Sequence, residues 1–490
     1  MIRSIMFETL SAYWPHILVV LSLVLGVPAA IHATMTKEEV RAAIGWVGVI
    51  VLSPVVGPLI YAIGGVNRIR RKTLNLTREG LLAGWPHMAG YDVSGEHMQT
   101  VFGGALAAMQ RLGDTVGRGR LTSGNRIAVL STGDEAYGAM LAAIAGAERS
   151  VLLETYIFDR DAVGKRFVEA LAAAVRRGVA VRVLIDAVGA RYSIPSIVGT
   201  LQKAGVPTEV FNGNIVMGLR LPYANLRTHR KILVVDGWIA FTGGLNIRAG
   251  FSAAHGGRAA ALDTHFRVTG PVVGDLFRTA YEDWRFSGGE ELSGAQWQIV
   301  APPDPPGEGV LARVVASGPD KSVETNHRML MGAVSVARKH IRFMSPYFLP
   351  DRELIGAIVT AARRGVEIDI VVPASNNLKL VDLAMTAQFD QLLKHGCRIW
   401  RAAGAFNHSK LTVVDGVWTY VGSSNIDPRS LRLNFEVDLE VIDTGFADLI
   451  GRRIAAALAA AEPVRLEALN ARPFLQRLIE RITWLGSPYL

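Results

Sequence analysis

The sequence predicts an α/β protein of two pseudo-symmetric lobes, each a sheet flanked by helices, behind an N-terminal transmembrane helical hairpin. Three observations carry this reading: a body that repeats itself, a short His-x-Lys motif that recurs within the repeat, and two long uncharged apolar stretches before residue 68. A chain of 490 residues has room for two or three domains with sizeable cores. Half of it is hydrophobic, and its formal net charge is +9, with Lys and Arg spread along the chain. A basic surface suits anionic partners, and charge alone does not choose between nucleic acid and acidic lipid. The single cysteine, Cys397, excludes an intramolecular disulfide and a Cys-rich zinc site, and reads as a small apolar residue near a strand.

The hairpin comes first. Thr9 to Thr36 contains no Asp, Glu, Lys or Arg, and a second uncharged stretch runs from Ile44 to Asn67. Each is long enough to cross the hydrocarbon core of a bilayer. Prolines 28, 54 and 58 suit membrane helices better than soluble ones. Arg68, Arg70, Arg71 and Lys72 follow the second stretch, whereas the loop between the two carries no net charge. The positive-inside rule then puts residue 68 onward in the cytoplasm, giving a multi-pass protein with cytoplasmic lobes. A cleaved signal peptide and a buried soluble hairpin are the alternatives. The second span and the lack of a small-x-small cleavage site disfavour the former, and length disfavours the latter. The boundaries are therefore 1–72 for the hairpin with its basic flank and 73–125 for a connector.

Beyond the connector the chain echoes itself. Arg149-Ser-Val-Leu-Leu-Glu-Thr-Tyr-Ile-Phe158 returns as Lys339-His-Ile-Arg-Phe-Met-Ser-Pro-Tyr-Phe348, and Arg177-Gly-Val-Ala-Val-Arg-Val-Leu-Ile-Asp186 as Arg364-Gly-Val-Glu-Ile-Asp-Ile-Val-Val-Pro373. In both copies an alanine-rich run ends at Arg-Gly, a helix stop followed by a strand. Each half reads strand, helix, strand, then motif strand. Pro302-Pro-Asp-Pro-Pro-Gly-Glu-Gly309 is a stiff, turn-rich linker. It divides a first lobe, 126–301, from a second, 310–490.

His229-Arg-Lys231-Ile-Leu-Val-Val-Asp236 is followed by Gly243, Gly244 and Asn246; His408-Ser-Lys410-Leu-Thr-Val-Val-Asp415 is followed by Gly422, Ser423 and Asn425. Every position recurs at the same interval. A lone His-x-Lys is weak, but two copies in register inside a wider repeat are strong. Residues i and i+2 of a strand share a face, so His and Lys project together while the intervening residue turns away. A Gly-rich turn then lets Asn246 or Asn425 approach a ligand closely. Two copies face to face supply two imidazoles, two ammonium groups and two amides around one point.

That set suits displacement at a phosphodiester. One histidine attacks phosphorus, and the other protonates the departing alkoxide and then deprotonates the incoming hydroxyl. Lys231, Lys410, Asn246 and Asn425 would stabilise the non-bridging oxygens. Neither metal nor cofactor is called for: no His-x3-His or Cys cluster exists, and the lysines would repel a cation. A nucleophilic imidazole needs an acceptor on its other nitrogen. Asp263 and Glu436, each at the start of an alternating strand-like run, are the candidates, with ordinary solvent-facing carboxylates as the alternative.

These residues carry a resemblance to the phospholipase D superfamily, and within it to the bacterial cardiolipin synthases. It extends to the two-span N-terminus, Leu121-Thr-Ser-Gly-Asn125, Glu154-Thr-Tyr-Ile-Phe-Asp159, Pro346-Tyr-Phe-Leu-Pro-Asp351 and Gly422-Ser-Ser-Asn-Ile-Asp-Pro-Arg-Ser430. The resemblance implies one active site between the lobes, with His229 as nucleophile and His408 as general acid and then base. It supports Asp263 and Glu436 as orienting partners. Asp236 and Asp415 complete the catalytic motif, in a role that supports the local structure rather than one that touches phosphate. The reaction it implies joins two phosphatidylglycerol molecules, releasing glycerol and leaving cardiolipin, at the bacterial inner membrane. Phosphatidylglycerol and other anionic phospholipids are then the partners, and no nucleic acid is expected. Hydrolysis or head-group exchange by the same site is the runner-up. A nuclease would share the motifs, but the membrane hairpin argues against it, and a decayed scaffold would have lost motif residues. Gly243-Gly-Leu-Asn-Ile-Arg248 departs from the Gly-Gly-Ala-Asn type of turn common in relatives, which bears on lipid identity rather than on chemistry.

The C-terminus, Arg472-Pro-Phe-Leu-Gln-Arg-Leu-Ile-Glu-Arg-Ile-Thr-Trp-Leu-Gly486, alternates aliphatic groups and arginines at helical spacing. It reads either as a helix lying on an anionic membrane surface or as an amphipathic helix packed on the second lobe.

Overall fold

The computed structural model describes residues 2–37, 39–65, 88–212, 226–302, 304–320 and 322–487. The chain divides into two units, residues 1–69 and 70–490.

In the first unit one helix runs from Ile2 to Thr36, uncharged from Thr9 onward. Its segment Tyr13–Thr36, 24 residues with a mean hydropathy of 2.2, is long and apolar enough to cross a membrane. The second stretch, expected as one span over 44–67, is instead a bent series: a helix Val40–Leu52, a turn, a short helix Val56–Ile60 and a π-turn Tyr61–Gly65. Thirteen residues rise only about 20 Å, short of the ~30 Å hydrocarbon core. The cause is local. Pro54 lacks an amide to continue the helix, Val55 adopts a left-handed φ of 70°, and Gly57 sits so close to Val49 that a Cβ would fall 2.2 Å from its carbonyl oxygen. Tyr61 closes the bend, its hydroxyl 2.8 Å from His32 Nδ1 and its ring edge-on to Trp46. The basic flank 68–72 lies outside the described residues.

In the second unit the repeat becomes one 16-stranded sheet. The first lobe supplies β1 (Thr122–Leu130), β2 (Ser150–Thr155), β3 (Ala180–Asp186), β4 (Thr208–Phe211), β5 (Arg227–Thr228), β6 (Ile232–Val235), β7 (Ile239–Gly243) and β8 (His265–Thr269). The second supplies β9 (Val310–Ser317), β10 (His340–Met344), β11 (Glu367–Pro373), β12 (Arg398–Ala402), β13 (Leu411–Val414), β14 (Trp418–Gly422), β15 (Asn434–Ile442) and β16 (Ala461–Pro463). The first lobe runs β1-β8-β7-β6-β2-β3-β4 and the second β9-β15-β14-β13-β10-β11-β12, the same order twice, with β16 added at the edge of the second. The halves join edge to edge where β1 pairs antiparallel with β9.

The helix stops read from Arg-Gly fall where the sequence puts them. Asp161 and Asp351 accept the Gly164 and Leu354 amides at the starts of helices Ala162–Arg176 and Arg352–Arg363. Gly178 and Gly365 end them in left-handed conformation, both at φ 90°. Helices and inward-facing strand residues close one apolar core per lobe, around Phe167, Leu171 and Phe241 in the first and Phe343, Ile358 and Phe389 in the second.

The connector, whose structure the sequence leaves open, holds helices Gly95–Val101 and Gly103–Val116, and their Met98, Leu106 and Met109 belong to the core of the second lobe. The first lobe opens at Thr122, within the expected connector, because β1 begins there. The proline-rich linker is fastened to the sheet. Asp304 pairs with Arg126 at 2.5 Å, and the Gly124 amide donates to the Glu308 carbonyl at 2.6 Å, pinning the linker to β1.

Candidate active site

The site is built by an exchange between the repeats. β5 runs just before His229 and pairs in parallel with the start of β15, aligning Thr228 with Phe435. The His229 amide then donates to the Phe435 carbonyl at 2.8 Å. In the other half Asn407 bridges Leu262, and the His408 amide donates to the Leu262 carbonyl at 2.7 Å. Phe435 precedes Glu436 and Leu262 precedes Asp263, so the backbone pairing sets each carboxylate against the histidine of the opposite repeat.

The side chains complete this cross. His229 Nδ1 lies 2.9 Å from Glu436 Oε2, across 207 residues of sequence, and His408 Nδ1 lies 2.8 Å from Asp263 Oδ2, across 145. A carboxylate on Nδ1 fixes the tautomer that leaves Nε2 as the reactive nitrogen. Glu436 is itself held by the Ser423 hydroxyl at 2.5 Å and Asn434 Nδ2 at 3.3 Å, and Asp263 accepts the Thr264 amide at 2.8 Å. Lys231 and Lys410 each donate to the carbonyl of their own motif histidine, and Lys410 Nζ lies 3.0 Å from His408 Nε2. All six groups are buried.

Burial at this density of charge moves every pKa. His229 is driven well below its ordinary value by burial first, then by Lys231 and Lys410, the latter from the other lobe. His408 falls to about 4 through burial and Lys410. Burial also lowers Lys231 to about 7 against the pull of Glu436, and Lys410 to about 8 against Asp263 and Glu436. Burial pushes Asp263 up, yet Lys410 and His408 outweigh it and leave the carboxyl below its usual range. Glu436 stays raised because burial exceeds the stabilisation from Lys231 and Ser423. The centre thus holds two neutral imidazoles and two cations at the edge of losing their protons, a state that an incoming phosphate anion reverses by re-charging the lysines.

Asn246 and Asn425 occupy equivalent turns after β7 and β14, and they differ. Asn246 Oδ1 accepts the Ile157 amide at 3.2 Å, whereas Asn425 Oδ1 is buried with no hydrogen-bond partner among the described residues, the kind of atom that a ligand donor satisfies. Asp236 and Asp415, grouped with the catalytic set by their motif, stand at the far end of the motif strand, roughly 20 Å from the histidines by strand rise. Asp236 accepts the amides of Glu148, Arg149 and Ser150, and Asp415 those of Arg338, Lys339 and His340, at 2.7–3.0 Å. Both adopt left-handed φ, 54° and 51°. They fasten the motif strand to the entry of β2 or β10 and touch no reacting group.

Sequence reasoning missed the ring lining and one buried cation. Tyr156 lies edge-on to His229 at 5.0 Å, and Lys231 Nζ sits 5.5 Å over its ring. Tyr347, Phe406 and Phe251 surround His408 at 5.9–6.2 Å. The Glu-Thr-Tyr and Ser-Pro-Tyr echo contained the tyrosines, but nothing local told which way they point. Arg230, between the motif residues, turns away as strand alternation requires and pairs with buried Asp283 while donating to the Glu436 carbonyl. Away from these groups, His327, Asp351 and Glu353 bring possible metal-ligand atoms within 4.8 Å of one another. Asp351 there caps a helix and pairs with Arg432 at 3.1 Å, so the group is an internal ion pair.

A duplicated sheet with crossed histidine–carboxylate pairs at its seam defines a two-lobed phospholipase D-like enzyme. Comparison with known proteins narrows this: the chain belongs to the cardiolipin synthase family. The model of that family's phospholipase D-like domain matches residues 140–253 and 330–457. Cardiolipin synthase A of Pseudomonas fluorescens is 30% identical over 488 residues, covering 98% of this chain and 99% of the relative. Cardiolipin synthase of Alkalihalophilus pseudofirmus is 30% identical, covering 91% and 88%. Among solved structures, phosphatidylserine synthase of Haemophilus influenzae shares the fold, with a TM-score of 0.58 at 15% identity, over 78% of this chain and all of that one.

Proposed function

We propose that the protein is a phosphatidyltransferase that moves a phosphatidyl group from one phosphatidylglycerol to a hydroxyl of another, releasing glycerol and leaving cardiolipin. The observation that carries this reading is the crossed pair His229–Glu436 and His408–Asp263, in a chain similar over nearly its whole length to relatives named as cardiolipin synthases. His229 Nε2 attacks phosphorus, a P–N bond forms, and the P–O bond to glycerol breaks. His408 gives its proton to the departing alkoxide. The acceptor hydroxyl then passes its proton to His408 as its oxygen attacks phosphorus, and the P–N bond breaks. His408, at about 4 in the free protein, regains proton affinity when a phosphodiester anion lies beside it. Lys231 and Lys410 neutralise the non-bridging oxygens, with Asn246 and Asn425 beside them.

The apolar helix Tyr13–Thr36 supports membrane attachment. The bent stretch after it holds no second helix of spanning length among the described residues, and the lobes are assigned to the cytoplasmic side from the charge pattern of 68–72 alone. The purified full chain, reconstituted with phosphatidylglycerol and without added divalent metal, is expected to produce cardiolipin and free glycerol in equal amounts. His229→Ala should abolish both. Phosphatidic acid as the sole lipid product would replace transfer with hydrolysis, and normal turnover by His229→Ala would remove the nucleophile.

A further inference from the structure

The C-terminal segment forms a helix, Phe474–Leu485, and it sits on the second lobe the unusual way round. Glu480 and Trp484 face the protein. Glu480 is 2% exposed and is held by Arg472 at 2.6 Å and Gln476 at 3.1 Å. Arg481 pairs with Asp390 on the supporting helix Lys379–Leu393 at 3.2 Å, and Trp484 packs against the lobe's core. The apolar side faces outward: Phe474, Leu475, Leu478, Ile479, Ile482 and Leu485 are 40–72% exposed. At 3.6 residues per turn these six fall within an arc of roughly 140°. They make one patch on the order of several hundred Å², large for a soluble surface. A helix that merely closed the lobe would be turned the other way.

We propose that this helix docks by its apolar face on the surface of an anionic bilayer. Charge chooses the occupant. Arg477 and Arg481 are exposed along one edge of the apolar arc, and Glu480, the helix's one acid, is buried beneath it, so the face presented outward is apolar with a cationic margin. The supporting helix contributes at its start two more exposed leucines, Leu378 and Leu380. These adjoin Asn377, whose Oδ1 accepts from the Tyr347 hydroxyl at 2.8 Å, and the Tyr347 ring lies 6.2 Å from His408. The start of the supporting helix thus carries exposed apolar groups beside a residue that touches the ring lining of the site.

The chain's only native thiol, Cys397, is buried, so Ile482→Cys in the full-length protein takes a single environment-sensitive fluorophore. The labelled protein is placed in nanodiscs of phosphatidylglycerol or of phosphatidylcholine, and spin-labelled lipids with a quencher near the head group are titrated in. The expected result is a blue-shifted emission that loses most of its intensity to the shallow quencher in phosphatidylglycerol and far less in phosphatidylcholine. Leu478→Cys gives a second position should the first variant fold poorly. An unshifted label that remains open to aqueous iodide in phosphatidylglycerol overturns the proposal. So does a label shielded without lipid together with 482–482 disulfide dimers formed on oxidation of the unlabelled Ile482→Cys variant, which would make a second copy the occupant. Equal quenching in both lipids overturns the anionic preference. The readout requires no turnover, so it stands or falls separately from the proposed reaction.

Discussion

Replacing Glu436 by Gln isolates what the crossed carboxylate contributes. The side chain is fully buried and nearly isosteric, so the backbone pairing that aligns Phe435 with Thr228 should persist. Two things are lost. The 2.9 Å contact to His229 Nδ1 ceases to be charge-assisted; such bonds are worth about 1.5–3 kcal/mol, or roughly 10–150-fold in rate at 1.36 kcal/mol per decade. Lys231 also loses the largest influence that holds its pKa up against burial. Its ammonium then gives up its proton more readily, weakening the positive charge that meets the phosphate. Together these give an expected fall in kcat of about 10²–10⁴-fold, the upper end being what loss of an orienting carboxylate costs in other imidazole sites. The assay is phosphorus NMR of cardiolipin formed from phosphatidylglycerol in mixed micelles, with thermal denaturation of each variant as the folding control. Retention of more than half the wild-type kcat by a normally folded Glu436→Gln variant would refute the orienting role. Asp263→Asn should act in the same direction through His408.

Further expectations concern the same groups. In kcat/KM, which reports the free enzyme, activity should fall as pH rises through 7–8. Lys231 and Lys410 are charged below about 7 and about 8 and lose their protons above. An acid limb should appear well below the ordinary imidazole range, where His229 gains the proton that blocks its attack; an alkaline limb no lower than 10 would contradict the lysine assignment. Asp236→Ala removes three backbone hydrogen bonds, about 1 kcal/mol each, and leaves alanine in left-handed conformation at about 1 kcal/mol more. It should lower Tm by several degrees while kcat per folded molecule stays within twofold, and a large kcat loss at unchanged Tm would return Asp236 to the reacting groups. Arg230→Met withdraws the cation facing the buried acids Asp283 and Glu154. Chemical denaturation should register a loss of about 3–5 kcal/mol, and a stability change under 1 kcal/mol would show that pair to be dispensable.

Much of this protein was legible without coordinates, and the reason is periodicity. Strand alternation alone puts His229 and Lys231 on one face and Arg230 on the other, and the ammonium, imidazole and guanidinium stand that way. The Arg-Gly helix stops were equally local, since a left-handed glycine after a basic last turn needs no tertiary partner. The repeat itself announced two like sheets, and the strand order recurs twice.

What the sequence left open is whatever depends on a distant neighbour. Asp263 and Glu436 could be chosen as carboxylates, but their exchange between repeats follows from β5 adding to β15 and Asn407 to Leu262. No local pattern encodes pairing across 145 or 207 residues. The bend after Leu52 depends on Gly57 meeting Val49, and the connector helices were decided by the core they fill. The C-terminal amphipathic pattern fixed that a helix would have two faces. Only packing decided that Glu480 and Trp484 turn inward, Arg481 pairing with Asp390 of the supporting helix, while the apolar arc faces out. Sequence determined the chemistry each segment carries, through spacings of two or four residues; tertiary structure decided which segments meet, because sheet order and packing join parts of the chain that share no local code.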